Sequence, residues 1–458
     1  MTKLRTAVLF TLLSYSGFAN ADSTEVILKA VIEEQQLRPL ATRKAELDPK
    51  FELGRSLFFD PILSGNRDVA CATCHLLAYG SSDGRRLSVG VGGSGIGPKR
   101  IPKFEIEHPR NSQDLWNRDH NTVSALFWDG RVEMIDPLDR TFRSPLGSAL
   151  PDGYENTLAV QAIFPVTRPD EMLGLPGQRS SSNLSGIHKS ALNEIATGAD
   201  FSSERSRISS ALKLVIRRLL DCNSGSPTHW QLRYREMFAN AYPKRVACDF
   251  SYADAANAIA HYEELAFATR NTPWDRYLAG DESALSAKQK RGAVVFFGAG
   301  RCAVCHSGDL FSDFDYHSIG VPAFGPGINS GKDMGRFHVT KNPIDKFHFR
   351  TPPLRNVSLS APYFHNGIEP TLDGVIRQHI DPLRFARQYN NVGDHAMTPA
   401  EIDSVSPILA DGLRITETEI GLLIAFLDAL TNAPDQKWQA ELVPSSVPSG
   451  LDITPFQD

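Results

Sequence analysis

Two five-residue segments constrain this chain more than anything else in it: Cys71-Ala72-Thr73-Cys74-His75 and Cys302-Ala303-Val304-Cys305-His306. Each places two thiols three residues apart and an imidazole next to the second. At that spacing, two thioether bonds can fix the edge of a porphyrin while the histidine occupies one face of its iron. The first segment therefore reads as a c-type haem attachment site through Cys71 and Cys74, with His75 as proximal ligand. The second reads the same way through Cys302, Cys305 and His306. Two covalently bound haem c groups in one chain allow a division of labour, with one iron doing chemistry and the other storing charge.

The first residues read as a secretory signal. Lys3 and Arg5 form a basic start, Ala7 to Leu13 an apolar run, and Ala19-Asn20-Ala21 a small-residue cleavage site. On this reading residues 1–21 are removed and Asp22 begins the mature chain. The apolar run is short for a membrane span, and no later segment is long and apolar enough for one. The expected location is periplasmic. In that oxidising compartment the two remaining cysteines, Cys222 and Cys248, read as a disulfide, with two buried thiols as the alternative. A formal charge of -5 argues against nucleic acid as a partner without identifying another.

A weak internal repeat accompanies the two motifs. Gly54-Arg55-Ser56-Leu57-Phe58-Phe59 precedes the first, and Gly292-Ala293-Val294-Val295-Phe296-Phe297 the second. Both read as an amphipathic helix that delivers the haem cysteines. The expected fold class is mainly α, with two cytochrome c-like haem domains. An N-terminal domain spans 22–278 and a C-terminal one 279–435, and an extended tail covers 436–458. Residues 252–270 read as one long helix stopped by Asn271-Thr272-Pro273. Thr416 and Glu419 form a capping box ahead of an apolar stripe at Ile420, Leu423, Ile424 and Leu427. Residues 173–190 read as a loop, and the sequence assigns no role to 132–160 or 173–200.

Thirteen histidines could supply the opposite face of either iron, and spacing alone does not choose among them. The order of further motifs says more. Leu53-Gly54-Arg55, Leu57-Phe58-Phe59-Asp60 and Leu63-Ser64-Gly65-Asn66 lead into the first haem motif. Pro109-Arg110-Asn111, Phe127-Trp128-Asp129-Gly130-Arg131, Gln161-Ala162 with Pro165, and Glu171-Met172 follow it. Thr351-Pro352-Pro353-Leu354-Arg355-Asn356, Ala361-Pro362-Tyr363-Phe364-His365 and Thr371-Leu372 follow the second. In this order, from about Leu53 to Leu430, the chain resembles the bacterial dihaem cytochrome c peroxidases, a family that includes the MauG-type enzymes.

The resemblance implies roles for individual residues. His75 becomes the proximal ligand of a high-spin, peroxidatic haem. Glu171 stands on its distal side, where a carboxylate can take a proton from H2O2 and return it to the leaving oxygen. Gln161 matches a distal glutamine. Trp128 matches a tryptophan between the haems, an oxidisable indole suited to relaying an electron; plain core packing would require the same burial. Asn111, Ser360 and Pro362 match positions that hold a calcium ion through amide and carbonyl oxygens, with Ser360 in place of a more usual threonine.

Two departures from the family pattern bear on activity. The second ligand of the second haem is methionine in most of the peroxidases and tyrosine in MauG-type proteins. Counting from Thr371-Leu372, that position is His379, which implies a bis-histidine haem of lower potential. Met397, Tyr389 and His395 are the alternatives if the helix ends early at Pro382. Many family peroxidases also rest with a histidine blocking the peroxidatic iron, placed in the loop after the first haem motif. Here Leu76 to Glu107 contains no histidine and is Gly-rich from Gly90 to Gly97. The expectation is a first haem already open in the ferric state, with His108 read as structural.

The function implied is reduction of H2O2 at the first haem, with electrons relayed through the second from a small cytochrome c or cupredoxin. The alternative is a MauG-type oxidase that uses H2O2 to modify Trp or Tyr side chains of a dedicated protein substrate through a bis-Fe(IV) state. A dihaem electron carrier without catalysis is a third class, against which Glu171 and Gln161 argue. Family members are often homodimers, and no sequence feature here fixes an interface.

Overall fold

Each haem motif is preceded by a helix that crosses a partner helix at a glycine. The computed structural model describes residues 21–40, 47–103, 108–222, 225–246, 248–269, 271–322, 333–389, 397–410, 412–433 and 436–453. Helix Pro49–Phe59 starts on Asp48, whose side chain accepts from the Phe51 amide at 2.7 Å, with Pro49 in the first turn. It packs on the alanine-rich helix Tyr252–Ala266. A Cβ on Gly54 would lie 1.9 Å from the Ala258 carbonyl oxygen, so the two backbones meet where only a hydrogen fits. In the second half, helix Ala287–Phe297 crosses Glu417–Ala429 in the same manner. A Cβ on Gly292 would lie 2.0 Å from the Leu422 carbonyl oxygen. Gly54 and Gly292 hold the same place in the sequence repeat, which is therefore a repeat of helix-pair geometry.

The chain is mainly helical, and among the described residues strands are confined to short antiparallel pieces. Val132–Asp136 pairs with Ala125–Leu126 on one side and Thr141–Arg143 on the other, so part of the unassigned 132–160 segment is a hairpin. Tyr316–His317 pairs with Phe349–Arg350. Among the described residues no helix is long and apolar enough to cross a membrane. Cys222 and Cys248 form the disulfide.

Two hydrophobic cores follow from the two helix pairs. The first gathers Phe51, Phe58, Phe59, Tyr262 and Phe267, with Phe58 and Tyr262 ring centroids 5.0 Å apart. The second gathers Trp274, Phe296, Phe311 and Phe426, with Trp274 and Phe426 centroids 5.2 Å apart. The capping box at Thr416 and Glu419 forms, and Ile420, Leu423 and Leu427 are buried. The long helix expected over 252–270 stops at Ala266. Asn117 explains the stop: its amide donates to the Phe267 carbonyl at 2.8 Å, and its side chain accepts from the Thr269 amide at 2.8 Å. These bonds draw the backbone out of the helical ladder.

Both ends of the described chain cross over. Helix Ala21–Gln35 packs on the second core through Leu28, and Glu25 accepts from Tyr277 at 2.8 Å and from Lys290 at 2.8 Å. The other end corrects the expectation of an extended tail. Gln436–Leu442 is a helix, and Leu442, Val447 and Leu451 are buried in the first core. Ser449 donates from its hydroxyl to Asp60 at 2.6 Å. Three apolar side chains at irregular spacing carry no helix or strand period, so nothing in the local pattern marks their burial. Of the expected signal segment, residues 1–21, all but Ala21 lie outside the described residues.

Candidate active site

The first haem motif turns tightly. Cys71–Cys74 is one helical turn, opened by the Thr73 hydroxyl accepting from the Ala70 amide at 3.0 Å and closed by the His75 amide donating to the Cys71 carbonyl at 3.0 Å. His75 Nδ1 lies 2.9 Å from the Ser81 carbonyl. A carbonyl can only accept, so Nδ1 carries the proton and Nε2 is left with a free lone pair. Burial lowers the His75 pKa and keeps the ring neutral, as a metal ligand must be. The second motif repeats this design. His306 Nδ1 is 3.0 Å from the Phe311 carbonyl, and burial, then His379, push its pKa down to about 4.

The cavity at the first motif is lined by Cys71, Cys74, His75, His108, Trp128, Gln161, Glu171 and Glu263, among others. Glu171 sits in the turn Pro169–Leu173. Its carbonyl accepts from the Val91 amide at 2.9 Å, and a Cβ on Gly90 would lie 2.3 Å from that same oxygen. The start of the Gly-rich loop is therefore a cradle for the Glu171 backbone. Gln161 ends helix Thr157–Gln161, which Asn156 caps.

His108 corrects the reading of it as structural. Its Nε2 lies 2.6 Å from Glu171 Oε1, while Nδ1 sits 2.9 Å from the Arg110 carbonyl. Arg168 Nε is 3.2 Å from the same Glu171 oxygen. Burial works to raise the Glu171 pKa, but His108, Arg168 and Arg131 outweigh it and hold the group at about 2, as a carboxylate. Glu263 is the opposite case. It sits on helix Tyr252–Ala266, and burial, then Glu264, push its pKa up to about 8. Sequence reasoning placed neither His108 nor Glu263 in the site. The proximity of His108 to the Pro109-Arg110-Asn111 motif was the one available signal.

The second cavity is lined by Cys302, Cys305, His306 and His379, and also by Trp128, Asn111, Ser360, Pro362 and Met397. His379 lies in helix Leu372–Ile380, capped by the Thr371 hydroxyl accepting from the Gly374 amide at 3.0 Å. Its Nδ1 is 2.8 Å from the Val375 carbonyl, so its Nε2 is the free nitrogen, and burial lowers its pKa. The Tyr389 side chain and the whole of His395 lie outside what is described.

Trp128 lines both cavities, as do Asn111, Ser112, Gln113 and Asp114. Its indole Nε1 donates to the Asn111 carbonyl at 3.0 Å, and its own carbonyl accepts from the Arg350 amide at 2.8 Å. The tryptophan is thus fixed from both halves of the chain. Next to Asn111 in sequence, buried Arg110 is paired with Asp129 at 2.7 Å and with Asp333 at 2.7 Å. Against the penalty of burial, Arg110 and Arg131 hold Asp129 well below the usual carboxylate range. A buried cation held between two buried anions ties the halves together and fixes the segment that carries Asn111.

These residues suit haem c. Cys71, Cys74, Cys302 and Cys305 are unpaired, whereas Cys222 and Cys248 are bonded to each other. Each motif histidine is neutral and oriented by a carbonyl, and each lines a cavity beside its two thiols. The donor set differs between cavities. His75 and His108 share the first with the carboxyl groups of Glu171 and Glu263, whereas His306, His317, His365 and His379 line the second.

Comparisons with known proteins agree with this chemistry. Residues 48–283 match the family described as di-haem cytochrome c peroxidase. The chain is 29% identical over 344 residues to cytochrome c peroxidase Ccp of Escherichia coli, which covers 75% of this chain and 55% of that protein. The chain thus spans about half the length of that relative. It is 28% identical over 373 residues to the methylamine utilization protein MauG of Methylorubrum extorquens, covering 80% of this chain and 79% of that one. Its fold resembles the crystal structure of a MauG-like protein associated with microbial copper homeostasis. There the TM-score is 0.57 at 24% identity, over 86% of this chain and 93% of the other.

Proposed function

Because the chain belongs to the di-haem cytochrome c peroxidase family, we propose that it reduces H2O2 at the first haem site and is recharged through the second. The asymmetry of the two cavities carries this reading: His75 faces a cavity with Glu171, and His306 one with His379. Two haem c groups at these sites would supply an iron open to peroxide at the first and an electron store at the second.

The chain's own residues do the rest. Glu171, held as a carboxylate, accepts a proton from H2O2 at Oε and returns it to the leaving oxygen. His108 orients that carboxylate through its contact with Oε1. The Gln161 amide offers a polar wall to the same cavity. Trp128 is the electron relay, supported by its position along both cavities. His379 is the second ligand at the second site, supported by its free Nε2. Asn111, Ser360 and Pro362, which share one cavity wall, would bind calcium through oxygen atoms. Two cytochrome c-like units, a periplasmic location and a small cytochrome c or cupredoxin donor complete the reading.

A protein-modifying oxidase of the MauG type is the second reading. One observation favours it: an imidazole rather than a thioether at position 379. The test supplies the doubly haem-loaded protein with H2O2 and a reduced small cytochrome c. Steady consumption of both supports the peroxidase. Reaction with H2O2 that leaves the reduced cytochrome unoxidised would sink it and favour the second reading.

A further inference from the structure

The proximal side of the first site has an aromatic exit that the reaction described above does not use. His75 Nδ1 donates to the Ser81 carbonyl at 2.9 Å, and Trp116 Nε1 donates to the Gly80 carbonyl at 2.9 Å. The proximal imidazole and the Trp116 indole thus hang on successive carbonyls of one short segment. Trp116 is 1% exposed. Its ring neighbour Trp438 is half-buried at the surface, with ring centroids 6.4 Å apart.

Trp438 belongs to the C-terminal segment, and that segment is firmly tied down. Arg55 donates to the Glu441 carbonyl at 2.7 Å, Leu442 is buried, and Ser449 binds Asp60. A second branch leaves Trp116 through Phe267 to Tyr262, at centroid separations of 5.6 and 6.2 Å. That branch is a poor conductor of oxidising equivalents. Tyrosine must lose its proton when it loses an electron, and Tyr262 is buried with its hydroxyl facing the Leu442 carbonyl, which cannot take a proton. An indole can give up an electron without an immediate proton acceptor. The route from His75 therefore runs through Trp116 to Trp438.

We propose that Trp438 is the surface oxidation site of the first haem site, reached through Trp116, where a one-electron donor is oxidised. The proposal rests on the peroxidase reading above and adds a second outlet beside Trp128. With a donor present, H2O2, two protons and two electrons from two donor molecules give two waters. Without one, both electrons come from Trp438 itself, which takes up oxygen from water. The sum is H2O2 plus indole giving hydroxyindole plus one water.

The test treats the haem-loaded protein with H2O2 and no reductant, then maps oxygen addition by mass spectrometry of its peptides. Trp230, also half-buried but with ring contacts to His188 and Tyr234 rather than to Trp116, is the internal control. Selective oxygen addition at Trp438, lowered severalfold by Trp116→Phe, is the expected result. A freeze-quenched indole radical signal that is lost in Trp438→Phe is the second readout, independent of whether Trp116→Phe folds. Equal oxidation of Trp438 and Trp230, or a radical signal unchanged in Trp438→Phe, overturns this proposal alone. Absence of any optical reaction with H2O2 overturns the peroxidase reading and this proposal with it.

Discussion

His108 Nε2 lies 2.6 Å from Glu171 Oε1 inside the first cavity, although 63 positions separate the two in sequence. The contact joins the segment leading into Arg110 to the turn Pro169–Leu173. It helps to hold the Glu171 carboxyl group charged and in one orientation. Glu171→Gln keeps the shape and removes the base. The rate of reaction with H2O2 should fall by about 10²–10⁴-fold, the usual weight of a positioned acid–base group. His108→Gln should cost less, because Arg168 still faces the carboxylate. Since Glu171 is held at about 2, its base function should persist as pH falls from 7 to 4. Stopped-flow rates over that range check this. A titration of the rate near the ordinary carboxylate value, present in the wild type and absent in Glu171→Gln, would contradict it.

At the second site, His379 and His306 present free Nε2 atoms to one cavity. An imidazole opposite His306 favours the ferric state more than a thioether does. His379→Met should therefore raise the potential of that haem, on the order of 0.1 V within the roughly 0.8 V span that axial ligands command. His379→Ala should convert its spectrum from low spin to high spin. Redox titration with optical and EPR detection reads both. A spectrum unchanged in His379→Ala would pass the ligand role to Met397, which lines the same cavity.

The C-terminal segment makes a stability prediction that an unattached tail would not. Leu442 is 2% exposed in the first core, and its carbonyl faces the Tyr262 hydroxyl at 3.3 Å. Leu442→Ala should cost about 2–5 kcal/mol, the range for a leucine removed from a packed core. A surface substitution in a loose tail would change stability by about 0.5 kcal/mol or less. Denaturant unfolding of the two proteins separates the cases.

Features written into local sequence were legible, and those made by distant contacts were not. The paired thiols and adjacent imidazoles announce haem attachment because the chemistry needs them within five residues. Gly54 and Gly292 mark the helix crossings because each stands at the same offset from the paired phenylalanines that end its helix. That His379 lines the second cavity could be anticipated by counting, since a helix carries it at a fixed distance from Thr371. His108 escaped because its role depends on meeting Glu171, and no periodicity within either segment encodes that meeting. The crossing of the chain ends escaped for the same reason. Leu28 and Leu451 look alike in sequence, yet each is buried in the core formed mainly by the other half of the chain. Asn117 cut the long helix short through two hydrogen bonds to a backbone far from it in sequence.

Glu263 gives the chain a pH dependence that can be read apart from catalysis. It is 6% exposed, and burial raises its pKa from an ordinary 4.5 to about 8. Below 4.5 the group is protonated in both folded and unfolded chains and contributes no difference. Between 4.5 and about 8 the unfolded chain ionises it while the folded chain keeps the proton. The folded state then binds more protons, so stability from this group falls as pH rises through that window. Glu263→Gln cannot ionise and escapes the loss. Relative to wild type, the variant should gain stability between pH 5 and pH 8. The gain should be on the order of a few kcal/mol, because each tenfold change in proton affinity is worth about 1.4 kcal/mol. Thermal unfolding of both haem-loaded proteins at the two pH values gives the comparison. A wild-type-to-variant difference that stays constant from pH 5 to pH 8 would mean that Glu263 is already ionised in the folded chain, and that a cationic or hydrogen-bonding partner stabilises its charge inside the first cavity.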